Sequence, residues 1–150
     1  MTNADLVADF HRAVGVDLPA RPAVPSLAAL DLREALVREE FDEVMEQFGR
    51  VRAAVAAGGE VPLEDVAAFA HELVDLLYVA YGALVTLGIP ADAVFAEVHR
   101  ANLAKTSGPR RADGKQLKPE GWQPADVLGV LAALSVTQAQ LDGDSGPTQR

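Results

Sequence analysis

LREALVREEFDEVMEQF, residues 32–48, contains six glutamates and aspartates, several of them beside leucines and valines. Val37, Phe41, Val44 and Phe48 recur at spacings of three and four, which predicts a helix and not a strand. On a wheel turning about 100° per residue the main apolar stripe continues through Val51 and Val55. Glu39, Glu43 and Glu46 form a second stripe with Leu32 and Leu36, and Glu40 lies at the border between the two. A solvated acidic face, offset by Arg50 and Arg52, accounts for Glu46. It accounts less well for acids that share their side of the helix with leucine.

The next apolar stretch, AFAHELVDLLYVAYGALV at residues 68–85, repeats the anomaly. Glu72 is surrounded on its wheel by Ala68, Phe69, Leu76, Val79 and Ala83, and Asp75 follows one turn later on the same side. A buried, unpaired carboxylate must be protonated, ion-paired or bound to a metal. Two acids three residues apart repel unless a cation lies between them. Glu40 and Glu43 are the matching pair on the preceding helix. If the short AAGGEVP turn at residues 56–62 makes the two helices antiparallel, the four carboxylates converge.

Oxygen ligands favour magnesium, manganese or calcium over zinc or copper. A di-iron bundle is the nearest rival, but it wants Glu-x-x-His pairs, and here the second pair ends in Asp75. His71 is expected to point away from Glu72. HELVD lacks the second histidine of a zinc-protease helix. His11, His71 and His99 are read as packed or surface histidines.

Working outward, a first helix is predicted from about Asn3 to Val14, followed by the proline-rich connector LPARPAVPS at residues 18–26. Ser26 is the expected N-cap of the long acidic helix, which runs to about Ala57 before Gly58 and Gly59. The third helix opens near Pro62 and runs to Leu87. Pro90 starts a fourth that ends near Lys105. A glycine- and lysine-rich loop then leads to Gly121, a last helix spans about Pro124 to Leu141, and the polar tail DGDSGPTQR is expected to be disordered. The fold class is therefore all-α, a single bundle of about four or five helices over residues 1–141 with a tail at 142–150. Leu73, Val74, Leu77 and Tyr78 make the third helix apolar around much of its circumference, so its core is expected to be completed by a homodimer or a larger assembly.

The chain has 150 residues, no cysteine and a net charge of −9 from 22 acids and 13 bases. Cysteine chemistry is thereby excluded, and general binding to nucleic-acid backbones or anionic membranes is not expected. The start, MTNADLVADFHRAV, has no signal-peptide character, no stretch reads as a membrane span, and a cytoplasmic location is expected. The charge is uneven. Acids dominate residues 31–75, whereas the segment at 100–118 carries Arg100, Lys105, Arg110, Arg111, Lys115 and Lys118 against one aspartate, Asp113.

EEFDE at residues 39–43, followed by ELVD at 72–75 and by NLAK and DGKQLKPEGWQPADV at 102–105 and 113–127, resembles the all-α nucleoside triphosphate pyrophosphatases. This MazG-like group includes dimeric dUTPases and phosphoribosyl-ATP pyrophosphohydrolase. The resemblance covers roughly residues 27–130. It implies magnesium, or manganese in its place, held by Glu40, Glu43, Glu72 and Asp75 against the phosphates of a nucleoside triphosphate. Water then attacks the α-phosphorus and pyrophosphate leaves. Glu39, beside the ligand Glu40, is the candidate for orienting or deprotonating that water, with a plain surface acid as the competing reading.

Asn102 and Lys105, one turn apart, are the candidates for the sugar or phosphates, and Lys115 and Lys118 for closing over them from the loop. A solvated role is the alternative for the loop lysines. Trp122 is a candidate for stacking on the base, against an anchoring role for the last helix. The resemblance makes dUTP the first substrate to consider. Phosphoribosyl-ATP and a general MazG-type range of triphosphates are the enzymatic alternatives. A noncatalytic helical module whose acids contact a basic partner is the alternative outside enzymes.

Overall fold

A computed structural model describes residues 1–133. Helix α1 spans Asn3–Ala13, α2 Leu27–Ala56, α3 Leu63–Thr86 and α4 Ala91–Leu103, with a 3-10 turn at Ala104–Ser107. Residues 127–133 are again helical. Among the described residues there is no strand beyond one isolated bridge between Arg110 and Gln116. The chain is all-α, as its periodicity predicts.

Local chemistry sets the ends. Ser26 Oγ accepts from the Ala29 amide at 3.3 Å and opens α2. Gly58, at φ 69°, turns the chain out of α2, a conformation that any side chain would strain. The last helix begins about three residues later than expected, because Asp126 and not Pro124 caps it: Asp126 Oδ1 accepts from the Gly129 amide at 2.9 Å. The expected continuation to Leu141 and the tail at 142–150 lie outside the described residues.

The chain forms two compact units, one from Met1–Pro19 with Ala23–Gly88 and one from Ala20–Pro22 with Ile89 onward. In the first, α3 packs against both α2 and α1. Phe48 meets Phe69 edge-on at 4.6 Å between α2 and α3, and Phe10 meets Tyr78 at 5.8 Å between α1 and α3. Val7, His11, Val44, Gly82 and Thr86 are buried. His11 is secured by a 2.8 Å contact between Nδ1 and the Val7 carbonyl. A Cβ on Gly82 would come within 3.2 Å of the His11 ring and 3.4 Å of the Arg33 guanidinium, so α1 and α2 can both crowd α3 at that level.

Two expectations change here. The centre of the packed face of α2 lies nearer Glu40 than predicted: Glu40, Val44, Gln47 and Val51 are all at least half-buried, while Phe41 stays 50% exposed. The wheel assigned both phenylalanines to one core, whereas Phe41 and Phe48 both keep about half their surface exposed and Val44 is buried. Second, α3 is long and apolar enough, by length and composition, to cross a membrane, contrary to the sequence reading. Leu63, Val66, Val74 and Leu77 of α3 are exposed. Glu72 and Asp75 interrupt its middle, a placement that is costly in lipid.

Candidate metal and nucleotide site

Glu40 and Glu43 project from successive turns of α2, and Glu72 from α3. One carboxylate oxygen of each lies within 4.8 Å of the other two. The antiparallel pairing predicted from the short turn thus brings three of the four expected carboxylates to one place. Asp75 joins through Glu72, in a second group with His71 whose donor atoms also lie within 4.8 Å of one another. Glu72 belongs to both groups. Its side chain is 18% exposed and that of Asp75 39%, so the pair is half-buried within one chain, not enclosed as the wheel implied.

The electrostatics are those of acids crowded together, with His71, among the described residues, the one positively chargeable side chain that offsets Glu40. The Glu40 carboxyl titrates above its ordinary range because burial penalises its charge, and Asp75, Glu39 and Glu72 add to this. Glu43 is raised by desolvation first and then by its bond to the Glu72 carboxyl and the charges of Glu72, Glu40 and Glu39. Elsewhere the acids are paired along their own helices, Glu34 with Arg38 and Glu46 with Arg50. No lysine or arginine bridges Glu40, Glu43, Glu72 or Asp75 among the described residues. Hard oxygen donors, crowded and lacking a protein cation, fit a divalent metal ion.

His71 corrects the sequence reading. Its Nε2 lies 3.4 Å from Asp75 Oδ2 and its Nδ1 3.9 Å from Glu72 Oε1. Adjacency to Glu72 suggested divergence, but the four-residue step to Asp75 puts the two side chains on one face. That H-x-x-x-D spacing was the available signal. Glu39 belongs to neither group. It is exposed and lines a shallow groove on α2 with Asp31, Glu34, Ala35, Arg38 and Asp42.

In the second unit, four of the five expected nucleotide contacts form one cluster. Lys105 Nζ donates to Asn102 Oδ1 at 2.6 Å, and the ammoniums of Lys105 and Lys118 lie 5.3 and 4.2 Å from the centre of the Trp122 ring. The indole N–H donates to the Ala101 carbonyl at 2.7 Å, which ties the tryptophan to α4. Lys115 is not in this cluster. Its amide bonds Asp113 at the tip of a hairpin-like turn, where Arg111 N donates to Lys115 O and Leu117 N to Pro109 O, both at 2.8 Å. Within this turn Arg111 pairs with Asp113, and Arg110 Nε donates to the Gly114 carbonyl at 3.0 Å.

Residues 7–102, well over half of the chain, match the phosphoribosyl-ATP pyrophosphohydrolase (PRA-PH) family. The chain belongs to that family. None of the curated proteins matches it. The phosphoribosyl-ATP pyrophosphohydrolase match spans both acidic pairs and all of α2 and α3. It makes this chain a helical nucleotide pyrophosphohydrolase, related to the MazG-like enzymes that its sequence resembles.

Proposed function

We propose that the chain hydrolyses the bond between the α- and β-phosphates of a nucleoside triphosphate, releasing the monophosphate and pyrophosphate. The observation that carries this reading is the convergence of Glu40, Glu43 and Glu72, extended by Asp75, with no lysine or arginine bridging them among the described residues. These four residues would hold magnesium, with manganese as a substitute, and the bound cation would supply charge neutralisation of the triphosphate and activation of the attacking water. Glu40 is a metal ligand on the packed face of α2, and Glu39, one position before it, orients or deprotonates the water. Asn102, Lys105, Lys115, Lys118 and Trp122 bind the nucleotide, a role supported by their charge and by the Lys105–Trp122–Lys118 cluster.

The proposed substrate is dUTP, on the resemblance to dimeric dUTPases, in a nucleotide-pool role in the cytoplasm. The name of the family favours a second reading, phosphoribosyl-ATP. The family match ends at Asn102, however, so Lys105, Lys115, Lys118 and Trp122 lie beyond it, and the base preference is left to them. The working form is a homodimer, supported by the exposed Leu63, Val66, Leu73 and Leu77, which follow one another at steps of three, seven and four and so share one side of α3. Magnesium-dependent pyrophosphate release from dUTP, phosphoribosyl-ATP and a panel of other triphosphates tests the proposal. Oxygen-18 from solvent should enter the monophosphate. Orthophosphate as the first product would overturn attack at the α-phosphorus, and no turnover of any substrate would favour the noncatalytic module.

A further inference from the structure

We propose that Arg33 reads the edge of the nucleobase, in a cleft of the first unit that takes a base carrying a carbonyl, as uracil does, before one carrying an amino group at the same place, as cytosine does. The inference rests on the reading that the chain binds a nucleoside triphosphate, and adds a contact in the first unit to the residues that set the base preference.

Arg38 and Arg50 of α2 pair with Glu34 and Glu46, but no carboxylate among the described residues pairs with Arg33. Its Nε is buried and has no hydrogen-bond partner among the described residues. A buried donor left unpaired is costly, so the position calls for an acceptor from outside the chain. The guanidinium is also closely held. A Cβ on Gly82 would come within 3.4 Å of its Nη1, so α3 leaves it room that any other residue at 82 would crowd.

Arg33 lines a cleft of about 550 Å3 between α2 and α3, and Leu30, Val37, Ala83 and Leu87 make much of its wall apolar. Such a wall suits a flat ring with few polar atoms. Asp31 and Glu34 line the cleft too. A phosphate or carboxylate at Arg33 would meet their negative charges, whereas a neutral carbonyl would not. Arg33, Val37 and Glu40 follow one another at steps of four and three on one side of α2, which sets Arg33 about 10 Å from Glu40 along the helix axis. That matches the reach of a nucleotide from its α-phosphate to the far edge of its base. A guanidinium donates and cannot accept. It bonds the O4 carbonyl of uracil and is opposed by the amino groups of cytosine and adenine, which favours dUTP over phosphoribosyl-ATP.

Magnesium-dependent kcat/KM for dUTP and dCTP, together with the nitrogen-15 resonances of the arginine side chains in the presence of dUMP or dCMP, tests this. The wild-type protein should prefer dUTP by about tenfold or more. Arg33→Met, which keeps an apolar stem, should bring the ratio close to one. dUMP should shift the Arg33 guanidinium resonances further than dCMP does. Equal kcat/KM for the two triphosphates in the wild type, an equal loss for both in Arg33→Met, or a guanidinium unmoved at saturating dUMP would overturn the assignment while leaving the pyrophosphohydrolase reading intact. The wild-type ratio and the resonances decide the question even if Arg33→Met does not fold. A wild-type protein that turns over no triphosphate would overturn the proposed reaction itself, and Arg33's role with it.

Discussion

The indole N–H of Trp122 donates to the carbonyl of Ala101 at 2.7 Å, while the ammonium of Lys118 lies 4.2 Å from the centre of the same ring. One side chain therefore anchors the segment after the hairpin to α4 and gathers the lysines proposed to meet phosphate. Trp122→Phe keeps the ring and removes the donor. It should cost about 1 kcal/mol of stability in urea denaturation and leave nucleotide affinity close to wild type. Trp122→Ala should lower both. Trp122 is the sole tryptophan, so its fluorescence reports nucleotide addition directly; a spectrum blind to saturating nucleotide would argue against the cluster as a binding surface.

Glu72 and Glu46 are both helical glutamates, but only Glu46 has an arginine, Arg50, one turn away. Glu72→Gln should abolish divalent binding and turnover. Glu46→Gln should leave both nearly intact and cost no more than about 0.5 kcal/mol of stability. Calorimetry with manganese on the two variants is the check, and equal losses would remove the distinction.

Glu97 accepts from both Arg100 nitrogens, at 2.7 and 2.8 Å, and from the Asp126 amide at 2.8 Å. The Arg100 bonds first, and then the amide, lower its carboxyl to about 2 from an ordinary 4.5. A depressed acid contributes stability that is complete above its unfolded value and is lost as pH falls toward its folded one. The stability difference between wild type and Glu97→Gln should hold constant from neutrality down to about pH 4.5 and shrink from there to about pH 2. A difference that does not change across that range would show that Glu97 is not the anion of this corner.

Leu77 is 56% exposed on α3. Leu77→Glu should convert the proposed dimer to monomer in analytical ultracentrifugation, because it sets two charges in an apolar contact. Leu128→Glu, at a position 79% exposed in the other unit, serves as the control and should leave the mass unchanged.

The helices were legible because their ends are written locally: Ser26 before α2, Gly58 after it, Pro62 before α3. Glu72 and Asp75 were legible because three residues on a helix fix a shared side. Glu40 was misjudged as a border residue because a wheel weighs all apolar residues alike. It cannot tell Val44, which is buried, from Phe41, which is half exposed. His71 was missed because its partner is four residues ahead and its neighbour Glu72 drew the attention. The Glu97–Asp126 bond joins residues 29 apart, and no periodicity announces such a pair.

α3 carries its carboxylates on one side and its exposed leucines on another, along a rod whose radius with side chains is about 5–6 Å. Turning that rod by about 10° about its own axis swings Glu72 and Asp75 through roughly 1 Å, a misplacement that can cost about a hundredfold in rate. Whatever packs against Leu73 and Leu77 thus acts as a set-screw on the carboxylates. Substitutions far from any phosphate could then detune the chemistry while leaving every ligand residue in place.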